Sequence, residues 1–190
     1  MAYPTDPAFE TLDIFDNEAV LRSEAQSLQT QSRSLDGQRW EISGTYPVLT
    51  RTEAGTIMAY LKSVRGSSTA FTMTLPEYSD ANGTVSGTVL TSSAVAAGAT
   101  SIPIDGITGQ INAGDFVKFA NHTKVYMVTA DRSGVGSLTI SPPLRESVVN
   151  NEGVTYDAVP FTVRLNKDKQ SQSISSANRS KISVDFIEAT

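Results

Sequence analysis

The chain has 190 residues with no cysteine, one histidine and one tryptophan, and its 15 basic and 20 acidic residues give a formal net charge of −5. The lack of cysteine excludes disulfide frameworks, iron–sulfur clusters, cysteine-bearing zinc sites and thiol nucleophiles, and a single histidine excludes a polyhistidine metal site. An apolar content of 39% with 18% charged residues predicts a folded chain that forms one domain or two small ones.

Neither a targeting signal nor a nucleic-acid footprint is visible in the sequence. The N-terminus has no basic region followed by an apolar run, and no stretch approaches the ~18 apolar residues of a membrane span. Residues 1–84 hold 11 acidic and 6 basic residues, whereas residues 160–190 hold 3 and 5. Because phosphate binding needs clustered bases, we expect no specific nucleic-acid binding, although an acidic wall would let DNA slide past.

The N-terminal part is predicted to be a loop followed by two strands. Residues 1–24 are acidic and without period, which predicts a loop or arm that packs on something else. Residues 25–34 (AQSLQTQSRS) are expected to form an exposed strand, with Asp36-Gly37 as a hairpin turn. The run QRWEISGTYP then alternates, which predicts a half-buried strand with Trp40 as a core anchor.

One helix is predicted, and it is bounded by recognisable signals. Thr50 and Glu53 form a capping box, apolar residues recur at helical spacing as far as Val64, and Gly66 can serve as the C-terminal cap. A further strand, AFTMTL, is expected to end at Pro76. These features predict a sheet with one helix packed against it.

The composition shifts between residues 85 and 159 toward Gly, Ser, Thr, Val and Ala. Six short apolar runs there (VSGTVL, TSIPID, DFVKF, KVYMVTAD, SLTISP and VTYDAV) are separated by turn signals, which predicts a small, closed or partly closed β-barrel. The runs PFTVRLN and KISVDFIEA after it resemble the first strands. We therefore expect a mainly β fold with one helix, in which a barrel of residues 85–159 is inserted into a discontinuous domain of residues 1–84 and 160–190.

No catalytic, cofactor or metal site is predicted. His122 has no partner from which a triad could be recognised, and we interpret it as a turn residue before a strand. The sequence contains no phosphate-binding loop and no calcium loop. Four acidic residues lie beside glycines or at strand ends, where aspartate forms turns: Asp105, Asp115, Asp131 and Asp157.

The barrel could still present an aromatic face to a sugar or to a single-stranded nucleic acid. Most of its aromatic residues, such as Phe116 and Phe119, fall at core positions. Tyr126 and Tyr156 are the candidates for facing a cell-surface glycan. A carbohydrate-binding module is therefore the alternative to a structural protein, and an enzyme ranks last because it would need a cluster of acids in one cleft.

In a monomer, the polar strands would leave strand edges exposed. The N-terminal segment would in addition expose four large apolar residues: Phe9, Leu12, Ile14 and Phe15. Such a chain is better explained as a subunit of an assembly. A ring with cyclic symmetry closes head-to-tail contacts.

Three segments, in order, carry a family resemblance: FETLDIFDNE, then RWEISGTYPVLTRTEAGTIMAYLKSVRGSSTAFTMTLPEYS, then AGATSIPIDGITGQINAGDFVKFANHTKVYMVT. Together they resemble the distal tail proteins of long non-contractile-tailed bacteriophages (siphophages) of Gram-negative hosts. The resemblance implies a β-sandwich-like ring domain with one helix, carrying an inserted barrel of the oligonucleotide/oligosaccharide-binding (OB-like) type.

The same resemblance implies a role in the virion, at the distal end of the phage tail, after assembly in the host cytoplasm. Six copies would form a hexameric ring that contacts the tail-tube protein above and the baseplate hub or tail-tip protein below. The ring would leave a channel for DNA, and the barrel would project outward to support tail fibres or host attachment. No site residue follows from the resemblance, since the family has no catalytic motif.

Overall fold

In a computed structural model, which describes residues 3–189, the chain is mainly β with one α-helix among those residues, which confirms the expected fold class. The helix is α1 (Arg51–Ser63), and a 3₁₀ turn follows at Gly66–Ser68. The strands are β1 (Thr11–Glu24), β2 (Thr30–Thr45), β3 (Phe71–Met73), β4 (Leu90–Thr91), β5 (Ser101–Asp105), β6 (Gln110–Ile111), β7 (Phe116–Phe119), β8 (Tyr126–Val128), β9 (Arg132–Ser133), β10 (Gly136–Ser141), β11 (Val154–Thr155), β12 (Phe161–Leu165), β13 (Gln172–Ile174) and β14 (Ser180–Glu188).

The first sheet has the order β1-β2-β14-β12-β3, with β13 paired to β14, and its pairs are antiparallel. The expectation of a loop or arm over residues 1–24 is wrong for its larger part, because β1 pairs with β2 from Thr11↔Thr45 to Glu24↔Thr30. The sequence of β1 mixes charged and apolar residues without strict alternation. Only Leu12 and Ile14 pack against the core, so over most of its length the strand state comes from the pairing with β2.

The predicted hairpin turn at Asp36-Gly37 is also wrong. Both residues lie within β2, and the chain reverses instead at Ala25–Gln29, where the Leu28 amide donates to the Ala25 carbonyl at 2.8 Å. Leu28 adopts a left-handed conformation with φ 63°. Asp-Gly is a local turn signal, and here the two residues lie in a β-bulge between the pairs Val20↔Ser34 and Glu18↔Gln38, with the pairing of β1 and β2 continuing on both sides.

The helix begins as predicted. The Glu53 amide donates to Thr50 Oγ1 at 3.4 Å and the Thr50 amide donates to Glu53 Oε2 at 2.7 Å, which forms the capping box. At the other end, Val64 is the C-cap, and the left-handed residue directly after it is Arg65, with φ 54°; the predicted cap Gly66 lies one residue further on, with φ 70°. The buried face of α1, formed by Ala54, Ile57 and Leu61, packs on the first sheet.

Trp40 is a core residue, as predicted, and is 4% exposed. Aromatic rings from the N-terminal segment also enter this core: Tyr3 stacks on Phe71 at 5.8 Å between ring centroids. Phe9 occupies the space above Gly44, where an added Cβ would lie 2.5 Å from Phe9 Cε1. The segment before β1 therefore closes one side of the core.

The second sheet has the order β11-β7-β8-β10-β5-β4, and each of the six predicted barrel runs overlaps one of these strands. An isolated bridge between Leu90 and Gly153 brings its first strand beside its last, so the sheet is nearly closed. The small pair β6–β9 is not predicted by the sequence. The first sheet draws its strands from residues 11–73 and 161–188 and the second from residues 90–155; the division into two domains stays a prediction.

Candidate assembly interface

A two-stranded ribbon extends from the first sheet. β14 pairs with β2 over Glu41–Thr45, while the pairing of β1 with β2 continues to Glu24↔Thr30. The register shifts by two residues between the pairs Glu18↔Gln38 and Val20↔Ser34, which is a β-bulge. We call residues 18–38 the ribbon; most of its side chains are exposed. Both of its faces and the outer edge of β1 are therefore accessible to another chain.

The ribbon exposes large apolar side chains: Val20 is 43% exposed, Leu21 60%, Leu28 79% and Leu35 54%. Leu21 pairs with Arg33, and Leu35 follows Ser34 in the bulged segment of β2, between the pairs Val20↔Ser34 and Glu18↔Gln38. Both leucines are therefore exposed on neighbouring parts of the ribbon. Neighbouring exposed leucines on an extended ribbon are typical of a surface that another protein covers.

A buried ion pair joins the second sheet to the first. Lys124 Nζ contacts Glu188 Oε2, and the two side chains are 2% and 0% exposed. The Glu188 carboxylate also accepts hydrogen bonds from the Trp40 amide at 3.1 Å and the Val125 amide at 3.0 Å. Lys124 Nζ donates in addition to Gln38 Oε1 at 2.5 Å. The pair is therefore both charge-compensated and hydrogen-bonded, as a buried pair requires.

Trp40 is at the centre of the same junction. Its indole Nε1 donates to the Val125 carbonyl at 2.9 Å, its ring meets Phe116 edge to face at 5.3 Å, and Lys124 Nζ lies 5.6 Å from its centroid. Burial lowers the pKa of the Lys124 ammonium, and the Glu188 carboxylate opposes that shift. Since the base of the ribbon includes Gln38, the junction fixes the second sheet beside it.

Sequence reasoning missed this junction, although a signal was present. The buried positions of β14 alternate from Ser180 through Ile182, Val184 and Phe186 to Glu188. A carboxylate at an inward position of an alternating strand needs a buried cation or amide donors. The partner Lys124 could not be identified, because it is 64 residues away in the chain.

The two candidate glycan-binding tyrosines differ in burial: Tyr126 is buried and Tyr156 is half-buried. Tyr126 is 0% exposed, so the expectation that it faces a glycan is wrong. Its hydroxyl bonds to His122 Nδ1 at 2.9 Å and accepts from the Arg145 amide at 3.1 Å, and burial raises its pKa. Tyr156 is half-buried, and its hydroxyl donates to the Gly87 carbonyl at 2.7 Å.

His122 is 3% exposed, so its role is in the packing of the loop before β8. The aspartates act mainly in loops, as predicted: Asp115 accepts from the Asn82 amide at 2.9 Å and the Asn112 amide at 2.8 Å. Asp131 accepts from the Ala113 amide at 2.8 Å and Asp157 from the Ala81 amide at 3.3 Å. Asp105 lies at the end of β5. Over residues 3–189, no histidine and carboxylate cluster has the geometry of a metal site.

No helix within residues 3–189 is long and apolar enough to cross a membrane. No family model matches the chain. The distal tail protein pb9 of Escherichia phage T5 is 25% identical to it over 161 residues, which cover 83% of this chain and 79% of pb9. The chain is therefore similar, at low identity and over most of its length, to a protein named for the distal end of a phage tail.

Proposed function

We propose that the chain is a structural protein of a bacteriophage tail and lies at the distal end of that tail. The observation that carries the proposal is the similarity to the distal tail protein pb9 over 83% of the chain. We assign the chain no catalytic role. The glycan-binding alternative is weaker because Tyr126, one of its two residues, lies inside the second sheet.

The ribbon supports assembly into a ring. It offers the unpaired edge of β1 and the exposed side chains of Leu21 and Leu35, and a neighbouring copy could pair with that edge and bury those side chains. A contact between different surfaces of identical subunits, repeated with a fixed rotation, closes into a ring. Six copies would form the ring, with the tail-tube protein on one side and the baseplate hub on the other.

The two sheets would have different positions in this ring. The domain of residues 1–84 and 160–190 would form the ring and its channel, and the excess of acidic residues in 1–84 would keep passing DNA from binding. Residues 85–159 would project outward to contact tail fibres. The Lys124–Glu188 pair supports a fixed orientation of this outer part, because both partners are buried.

Labelling of particles tests the position. Gold-labelled antibody against the chain, applied to tailed particles that contain it, should bind at the tail end distant from the head. Negative-stain averages of the label-free tip should show a ring. Label along the tube or on the head, or a tip without a ring, would contradict the proposal.

A variant of the ribbon tests how the ring assembles. Leu21→Asp with Leu35→Asp places two charges where the neighbour would cover apolar surface, so incorporation into tails should fall at least tenfold, which corresponds to about 1.4 kcal/mol. Val135→Asp is the matched control, since Val135 is 71% exposed and lies outside the ribbon. Circular dichroism and the unfolding midpoint should be unchanged in both variants. Normal incorporation of the ribbon variant would refute this role.

A further inference from the structure

Tyr78 projects from an ordered turn that follows β3. Its side chain is 67% exposed, and the preceding Glu77 adopts φ 63°. The turn is fixed on its inner side, where the Leu75 amide donates to Ser79 Oγ at 2.6 Å and the Ser79 amide donates to the Leu75 carbonyl at 3.0 Å. An exposed aromatic ring on a fixed backbone loses little entropy on binding and is a common anchor of protein interfaces.

Acidic side chains surround this ring. Glu77, Tyr78 and Asp80, which we call the acidic knob, border a groove of about 400 Å³ that also contacts Asp115, and its lining residues include no lysine or arginine. A second groove of about 320 Å³ shares Tyr78 and adds Asp16. The ion pairs within residues 3–189 involve none of these acids. The surface therefore favours a partner that carries positive charge.

A depression lined by basic side chains lies between the end of α1 and the loop after β12. It has a volume of about 490 Å³, with Met58 and Leu61 among its apolar lining and Lys62, Arg65 and Lys169 among its polar lining. The three cations are exposed, whereas Met58 is half-buried and Leu61 is buried. We call these five residues the basic socket. An apolar floor with a basic rim suits an aromatic ring flanked by carboxylates.

The rim of the socket is also ordered. The amide and hydroxyl of Ser67 donate to Asp168 Oδ1 at 2.9 and 2.6 Å, which ties the loop after β12 to the end of the helix. These hydrogen bonds lower the pKa of Asp168, which also lines the depression, so its carboxylate stays ionised there. The three basic side chains outnumber this one carboxylate, so the lining keeps an excess of positive charge.

The knob and the socket belong to different places in one chain. The residues that line the socket precede β3 or follow β12, whereas the knob follows β3, and the two lining sets share no residue. A single copy therefore presents both without pairing them. Their opposite charges favour a second copy of this chain over an unrelated basic protein.

We propose that the acidic knob of one copy binds the basic socket of the next. Tyr78 packs on Met58 and Leu61, and its flanking carboxylates lie against the three basic side chains of the rim. The contact is head to tail, so it can repeat around a closed ring. This inference rests on the proposed function, in which copies of the chain form that ring, and it names the surfaces that meet.

Engineered cysteines test the contact directly, because the natural chain has no cysteine. Asn82→Cys beside the knob and Gln170→Cys beside the socket leave Tyr78 and the basic rim unchanged. The two variants are made in separate chains, mixed, and treated with a short bis-maleimide in concentrated solution and in particles that contain both. We expect the mixed dimer in at least one setting, at ten times or more the yield given by Gln170→Cys with Val135→Cys. No mixed dimer in either setting, links only between two chains that both carry Asn82→Cys, or links to a different protein only would each overturn the proposal.

A charge reversal adds a second test that keeps both cysteines in place. Glu77→Lys should lower the yield of the mixed dimer at least fivefold, and Lys169→Glu in the partner chain should restore it. Both positions are exposed, and circular dichroism checks that the variants fold. No rescue by the second change would count against the contact. Rings without the cross-link refute this contact alone, whereas tails without a ring refute the proposed function.

Discussion

The buried pair Lys124–Glu188 offers the sharpest test of how the two sheets are held together. In Lys124→Met, a side chain of similar length replaces the ammonium, and the Glu188 carboxylate is left buried without its cation. Breaking one side of a buried ion pair typically costs about 3–5 kcal/mol. For a chain of this size, such a loss lowers the melting temperature by roughly 6–20 °C.

The measurement is urea unfolding followed by two probes. Trp40 is the only tryptophan and lies at the junction, so its fluorescence reports the junction, while far-ultraviolet circular dichroism reports both sheets. The control is Lys167→Met, because the pair Lys167–Asp185 is exposed at 68% and 31% and pairs of this kind contribute about 0.2–1 kcal/mol.

A double-mutant cycle separates the pair from the packing of each side chain. Glu188→Gln removes the charge and keeps an amide oxygen that can accept from the Trp40 or Val125 amide. If the two charges depend on each other, the double variant should be more stable than the sum of the single losses predicts, by about 1–3 kcal/mol. A loss below about 1 kcal/mol for Lys124→Met, or an additive cycle, would show that the pair does not hold the junction.

Two further predictions concern the first sheet. Gly44→Ala should destabilise the chain by about 1–3 kcal/mol in the same unfolding assay, since the new methyl would lie 2.5 Å from a Phe9 ring carbon; Gly55→Ala, where an added methyl meets nothing within 4 Å, should not destabilise it. A hydrogen bond from Lys167, with a second from a serine hydroxyl, lowers the pKa of Asp185 below its usual range. The stability that the ionised Asp185 gains from these hydrogen bonds is present above about pH 4 and is lost as the pH falls through the folded-state pKa. The melting temperatures of the native chain and of Asp185→Asn should therefore differ at pH 6 and converge as the pH falls below about 4. An equal difference at both pH values would contradict this assignment.

The sequence predicts best where burial and local geometry agree. The strand around Trp40 alternates because one face is buried, and the capping box at Thr50 is a short-range motif whose partners are three residues apart. The six barrel strands are predictable for the same reason, since apolar runs are bounded by glycine turns. In these segments, neighbouring residues alone contain the information that determines the structure.

Prediction fails where a distant strand determines the structure. β1 has no continuous apolar face and is a strand because β2 pairs along its whole length. The Asp36-Gly37 signal is misleading for this reason, since it describes a local preference worth less than the ladder that continues past it. The prediction for Tyr126 is wrong for a related reason: an aromatic residue on a short strand can face either side until its neighbours are known.

The junction between the two sheets and the exposed apolar surface have opposite effects on stability. At the junction, the buried charges of Lys124 and Glu188 and the indole hydrogen bond of Trp40 hold one sheet against the other in one orientation. The ribbon and Tyr78 instead leave apolar groups in water, which costs free energy in a monomer. A covering partner recovers that free energy, so we expect the exposed apolar side chains of the ribbon and the ring of Tyr78 to become buried only in the assembly.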